Sequence, residues 1–199
     1  MATRYGNSTK NYIVRVGDYH TLVSEEYEES FEVKRIIIHN GYKPDANDYD
    51  IALVKLEGNQ EHCIKFNVHV LPVCLPHRRE RIQKRGSNCY ITGWGDTGRA
   101  YSKTLQQAAI PLLPKRHCEE RYKQRFTGRM LCAGNLLDHK RVDSCQGDSG
   151  GPLMCERAGG HWVVFGVTSW GHGCGVKDTP GVYTKVSTFM PWIKRVTKL

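Results

Sequence analysis

Apolar and polar residues alternate in short bursts along most of this chain. β-Branched and aromatic residues gather at 12–16, 31–39, 51–56, 88–94, 105–113, 161–170 and 181–186. Each run is bounded by Gly, Pro, Asn or Asp. Such runs predict half-buried strands separated by turns. With no amphipathic helix between them, many short strands predict an all-β antiparallel barrel or sandwich. The tail breaks the pattern. Phe189, Trp192, Ile193 and Val196 recur at i, i+3, i+4 and i+7, which predicts a C-terminal helix with one apolar face. Ser187 or Thr188 is its expected N-cap, which leaves Pro191 in the first turn, where a missing N–H costs nothing.

Composition narrows the class. A 39% hydrophobic fraction with ten Tyr and 20 Gly is globular and excludes an intrinsically disordered chain. No apolar run approaches the roughly 20 residues of a membrane span. The first residues lack the apolar core and cleavage site of a signal peptide. Against that stand eight Cys at irregular spacing, the pattern of a disulfide framework in an exported protein. No Cys-x-x-Cys pair supports zinc instead. The net charge is +9, and its densest basic stretch is 77–85. That stretch reads as a solvated loop, with a polyanion site or an inter-barrel connector open to cleavage as the alternatives, and no nucleic-acid motif accompanies it. Neither a nucleic-acid nor a membrane partner is expected.

One segment carries chemistry, from Asp143-Ser144-Cys145-Gln146 through Gly147-Asp148-Ser149-Gly150-Gly151 to Pro152-Leu153. Glycines on both sides of Ser149 let backbone N–H groups approach a substrate carbonyl, while the serine supplies a hydroxyl nucleophile. The N–H groups of Gly147 and Ser149 are then candidate oxyanion donors. Gly-Asp-Ser alone also makes ordinary turns; the eleven-residue context is what gives the signal weight.

With this segment go Asp50-Ile51-Ala52-Leu53-Val54, Tyr90-Ile91-Thr92-Gly93-Trp94-Gly95 and Met130-Leu131-Cys132-Ala133-Gly134. Val167-Thr168-Ser169-Trp170-Gly171 and Pro180-Gly181-Val182-Tyr183 complete the set. In these motifs, in this order, the chain resembles the chymotrypsin/trypsin family of serine endopeptidases over essentially its whole length. The resemblance implies two antiparallel six-stranded Greek-key barrels and a C-terminal helix. Residues 1–85 would form a partial first barrel with its connector, and 86–199 the second barrel with the helix. It implies Ser149 as nucleophile and Asp50 as the carboxylate that orients a histidine. Asp143 is the implied floor of the specificity pocket, with Ser169, Trp170, Gly171 and Gly181 around it. A carboxylate there selects Arg or Lys in protein substrates. Asp148 is implied as the partner of an α-amino group released by activation cleavage.

The general base is the exception. By resemblance it sits in an Ala-Ala-His-Cys segment about 45 residues before the aspartate. No such segment occurs, and residues 1–19 contain no His. The activation sequence is absent as well, so the first barrel is expected to lack its opening strands. His20, His39 and His172 are the nearest substitutes by motif, and none is expected to reach both Asp50 and Ser149. The expectation is therefore a protease domain that is inactive or severely impaired alone. A pseudoprotease that binds basic peptides, and an incomplete gene product with exposed apolar edges, are the alternatives.

The resemblance further implies Cys89–Cys155, Cys118–Cys132 and Cys145–Cys174. Cys74 stands where mosaic members tether upstream modules. For Cys63, a buried thiol and a bond to Cys74 both stay open. Asn7-Ser8-Thr9 is a glycosylation sequon, meaningful on a secretory route. No cofactor is expected, although Asp18, Glu25 and Glu28 cluster where some trypsins hold calcium; a solvated acidic loop is the plainer reading.

Overall fold

The computed structural model describes residues 6, 8–58, 63–82, 88–136, 143–176 and 178–199. Asn7 and the expected 85/86 boundary lie outside these described residues. Two antiparallel sheets hold the chain. The first contains β1 (Ile13–Val16), β2 (Glu29–Ile38) and β3 (Ala52–Leu56) in that spatial order. The second contains β4 (Cys89–Gly93), β5 (Gln106–Ala109), β6 (Met130–Ala133), β7 (Pro152–Arg157), β8 (His161–Trp170) and β9 (Gly181–Lys185). Its spatial order is β5-β4-β7-β8-β9-β6, which gives the six strands expected of the second barrel.

Register explains which side chains meet. β4 pairs with β7 so that Cys89 faces Cys155, where a disulfide closes. Leu153, Val163, Phe165, Tyr183 and Ile91 fill the space behind them. Trp170 pairs with Val182 beyond an irregularity in the β8–β9 ladder, which turns the end of β8 toward the cleft. Two further disulfides, Cys118–Cys132 and Cys145–Cys174, fasten loops to this sheet.

Among the described residues there are two α-helices where one was expected. α1 spans Lys115–Tyr122, so the reading of a chain without internal helices is corrected. Only Cys118 and Tyr122 are buried from α1, one turn apart. α2, the expected C-terminal helix, spans Val186–Thr197 and starts before either proposed cap. Ser187 is 1% exposed inside it, and Pro191 lies past the first turn. Proline lacks the N–H that would bond the carbonyl of Ser187. That carbonyl accepts the Arg79 N–H instead at 3.2 Å, so the connector satisfies the helix it crosses. The apolar face of α2, Phe189, Met190, Trp192 and Ile193, packs with Ile51, Ile37 and Leu53 of the first sheet and with Val164 and Val167 of β8. α2 therefore welds the two sheets together at the level of Asp50.

Candidate active site

The 143–151 loop reaches β7 through a series of tight turns. Asp148 N–H donates to the Cys145 carbonyl at 3.0 Å, Gly150 N–H to Thr168 at 2.9 Å, and Gly151 N–H to Asp148 at 2.8 Å. Gly147 holds φ +96°, a conformation glycine adopts without strain. A Cβ there would also meet the Tyr101 ring at 2.8 Å. Among the described residues, no protein acceptor takes the N–H of Gly147 or of Ser149. The Ser149 side chain is exposed. An open hydroxyl thus stands beside two uncommitted backbone donors.

Beside Ser149 lies a cavity of about 260 Å³ whose wall includes Asp143, Ser169, Trp170, Gly171 and Gly181. The Asp143 carboxylate accepts N–H groups from Ser144 at 2.8 Å and Gly175 at 3.2 Å. Burial outweighs these donors and raises its pKa to about 6, with a smaller push from Asp148. A Cβ on Gly181 would come within 2.9 Å of Asp143 Oδ1, so glycine keeps the carboxylate accessible from that side. The Cys145–Cys174 disulfide ties together the two loops that line this cavity.

Asp50 comes from the other sheet, in the turn that enters β3. Its carboxylate accepts the Ser169 hydroxyl at 2.7 Å, and its carbonyl accepts the Thr184 hydroxyl at 2.7 Å. β8 and β9 therefore grip this residue at both ends. The turn is anchored again two positions earlier. Arg129 donates to both Asp48 oxygens, Nε to Oδ1 at 2.8 Å and Nη2 to Oδ2 at 2.6 Å. Its guanidinium also lies 4.4 Å from the centre of the Tyr49 ring. Hydrogen bonding to Arg129 holds the Asp48 carboxyl below the usual carboxylate range. Asn47 and Tyr49 occupy left-handed backbone, at φ 49° and 54°, which this anchoring must sustain. No motif pointed to Arg129, Asp48 or Thr184.

The three histidines nearest by motif are committed elsewhere. His39 packs against Tyr49, Phe189 and Trp192, and burial lowers its pKa. His172 stacks on Tyr122 at 5.4 Å, and His20 bridges to Thr104. Among the described residues, no histidine hydrogen-bonds to Asp50 or Ser149. His62 and His139 lie outside the described residues.

Asp148, implied as the partner of a released α-amino group, is held here by backbone donors. Its Oδ1 accepts the Gly95 N–H at 2.9 Å and its Oδ2 the Cys145 N–H at 3.0 Å. The carboxylate rests against the Cα positions of Gly93 and Gly95, where any added Cβ would collide with it. A small cavity of about 110 Å³ opens beside it, lined by Gly93, Gly95, Thr168 and Asp143 among others.

Farther off, oxygens of Asp18, Glu25 and Glu28 lie within 4.8 Å of one another. Asp18 Oδ1 and Glu28 Oε1 are buried without a protein donor. Hard carboxylate oxygens left unsatisfied in this way are chemically suited to Ca²⁺. Cys63 and Cys74 are both free and exposed, so neither a buried thiol at 63 nor a bond between them is formed.

A family model described as Trypsin matches residues 4–193. The chain belongs to the trypsin family. The Ser149 loop, the Asp50 turn and the Asp143 cavity accordingly lie within a serine-protease domain, and the family's substrates are proteins. No described helix is long and apolar enough to cross a membrane, while disulfides of this kind fit an extracellular setting.

Proposed function

We propose that this is a trypsin-like endopeptidase domain that recognises Arg or Lys at the cleaved bond and, taken alone, turns substrate over little or not at all. The carrying observation is that the Asp143 carboxylate and the Ser149 hydroxyl share one cavity wall. A guanidinium or ammonium side chain entering that cavity meets its counter-charge and presents the next carbonyl to Ser149. With a base to take its proton, Ser149 Oγ attacks that carbonyl carbon, and the N–H groups of Gly147 and Ser149 receive the developing oxyanion. Asp50 holds the orientation of a base that this chain does not supply in its motif. In serine proteases built on such a triad, loss of the histidine lowers turnover by about 10⁶.

Several finer assignments belong to the same reading. Residues 4–22 and 87–136 resemble the protease domain of neurotrypsin, a secreted mosaic protease. Secretion, a sugar on Asn7 and a disulfide from Cys74 to upstream modules follow from that likeness. Asp18, Glu25 and Glu28 would hold Ca²⁺ through their carboxylates, bracing the loop before β2. Calcium titration of the melting temperature tests this: no rise, or an equal rise in Glu28→Gln, removes the site.

The decisive experiment pairs binding with turnover. A benzamidine-type cation should bind the chain and fail to bind Asp143→Ser, while an Arg ester is not hydrolysed. Ester turnover that vanishes in Ser149→Ala overturns the inactivity. A second reading, a non-catalytic binding module for basic peptides, draws on the absence, among the described residues, of a histidine hydrogen-bonded to Asp50. Labelling of Ser149 by an organophosphorus reagent favours the protease; cation binding without labelling favours the module. Absence of a cooperative melt would mark an incomplete product.

A further inference from the structure

The rim of the cleft opposite in sign to Asp143 has no role in the chemistry above. Arg121, Lys123 and Arg125 are exposed within five residues, at the end of α1 and in the turn after it. No carboxylate among the described residues lies within ion-pair distance of any of them. By contrast, Lys115 pairs with Glu119 at 2.9 Å and Arg129 with Asp48. The two guanidiniums are not simply solvated. Arg121 lies 5.8 Å from the centre of the Tyr122 ring, and Arg125 lies 5.0 Å from that of Trp170. Those rings touch edge to face at 4.8 Å, and His172 stacks on Tyr122. The cations are therefore held on a rigid aromatic base anchored by the Tyr122 hydroxyl, which donates to the Pro180 carbonyl at 2.6 Å.

Held guanidiniums lose little freedom when they bind an oxyanion, and their forked donors suit sulfate or phosphate. We propose that this rim is a docking surface for a sulfated polysaccharide. Single-stranded nucleic acid fits less well, because the ring faces it would stack on carry guanidiniums or the neighbouring imidazole. All three cations are exposed, so a linear, strongly charged chain can reach them together. It joins Trp170, which lines the Asp143 cavity, so a bound polysaccharide would run along one wall of the cleft. An exported, disulfide-bonded protein would meet such chains outside the cell.

The test measures affinity for heparin across a salt series, using the full chain. Neutralising Arg121, Lys123 and Arg125 together to Gln should weaken binding about tenfold or more and flatten the log K against log salt slope by about 2 to 3 units, by analogy with other linear polyanions. The matching change of Arg78, Arg79 and Arg81 in the connector should do much less. An unchanged cooperative melt shows that the first variant is folded; if it is not, Arg125→Gln alone should still weaken binding. The proposal is overturned if the connector variant loses binding instead. Equal affinity for desulfated polysaccharide, or for duplex DNA, overturns it too.

Discussion

The Ser169 hydroxyl donates to the Asp50 carboxylate at 2.7 Å, across the junction of the two sheets. One sheet supplies the carboxylate and the other fixes where it points. Thr184 secures the carbonyl of the same residue. A hydrogen bond to a charged, half-buried acceptor contributes more than one between neutral groups. Ser169→Ala should lower stability by about 1–2 kcal/mol. A urea midpoint that falls at constant slope is the expected result. Because Ser169 and Thr184 act on one residue, the double variant with Thr184→Val should depart from additivity.

Asp143 should make cation binding depend on pH. Its pKa is raised to about 6, chiefly by burial, and only the ionised form attracts a guanidinium. Affinity for a benzamidine-type cation should be nearly constant above pH 7 and fall about tenfold per unit well below 6. The sign for stability is opposite. An acid whose folded pKa exceeds its unfolded value binds more protons when folded, so its penalty is full above pH 6 and vanishes below about 4. Asp143→Asn should therefore raise stability at pH 8, by about 3 kcal/mol at most, with no gain at pH 4. Urea titrations at the two pH values measure it. A wild-type affinity that stays flat from pH 7 to 5 contradicts the prediction.

Much of this fold is legible where side-chain pattern and burial coincide. The runs at 31–39 and 161–170 became β2 and β8 because their apolar residues face packed neighbours. Three elements were not legible. β6 is four residues long and includes Met, Cys and Ala, residues without strong strand preference. β7 begins at a proline and ends in Glu156-Arg157, yet Leu153 and Cys155 at alternate positions are fully buried. α1 is mostly charged, and its two buried side chains make too narrow a stripe to read. It is held in place by the Cys118–Cys132 bond and by Tyr122 packing against Trp170. At the site, local motifs marked Ser149, Asp50 and Asp143. Arg129 and Asp48 are 81 positions apart and belong to no motif, so only the fold brings them together.

Gly93 and Gly95 should be intolerant of side chains for a reason specific to Asp148. Neither has a left-handed backbone, yet a Cβ on either would overlap the Asp148 carboxylate. That carboxylate is held by the Gly95 and Cys145 N–H groups and cannot retreat without losing them. Gly93→Ala should cost about 1–3 kcal/mol, the usual range for overpacking. Because Asp148 adjoins Ser149, the same variant should also disturb organophosphorus labelling of Ser149 in protein shown to be folded. Asp148→Ala should relieve the overlap, so that Gly93→Ala costs less in that background.

The strongest single tie between the sheets should be Arg129 with Asp48. Asp48 is 5% exposed, and both its oxygens are taken by one guanidinium that also covers Tyr49. Removing the arginine leaves a buried carboxylate with only the Tyr49 N–H at 3.0 Å and the Thr127 hydroxyl at 3.3 Å. Arg129→Ala should cost about 3 kcal/mol, and Arg129→Lys should recover only part of it, since an ammonium cannot form the fork. The pH dependence follows from the lowered pKa of Asp48. An acid depressed on folding contributes stability above its unfolded pKa, near 4, and loses it as pH falls through the lower folded value. The gap between wild type and Arg129→Ala should thus be full at pH 7 and close toward pH 2. Hydrogen exchange locates the effect. The His39 amide, bonded to the Ile51 carbonyl at 3.0 Å, should lose protection in Arg129→Ala, while amides central to β7 and β8 keep theirs. Equal loss in both sheets would mean that Arg129 supports the whole domain and does not act as a local anchor for the Asp50 turn.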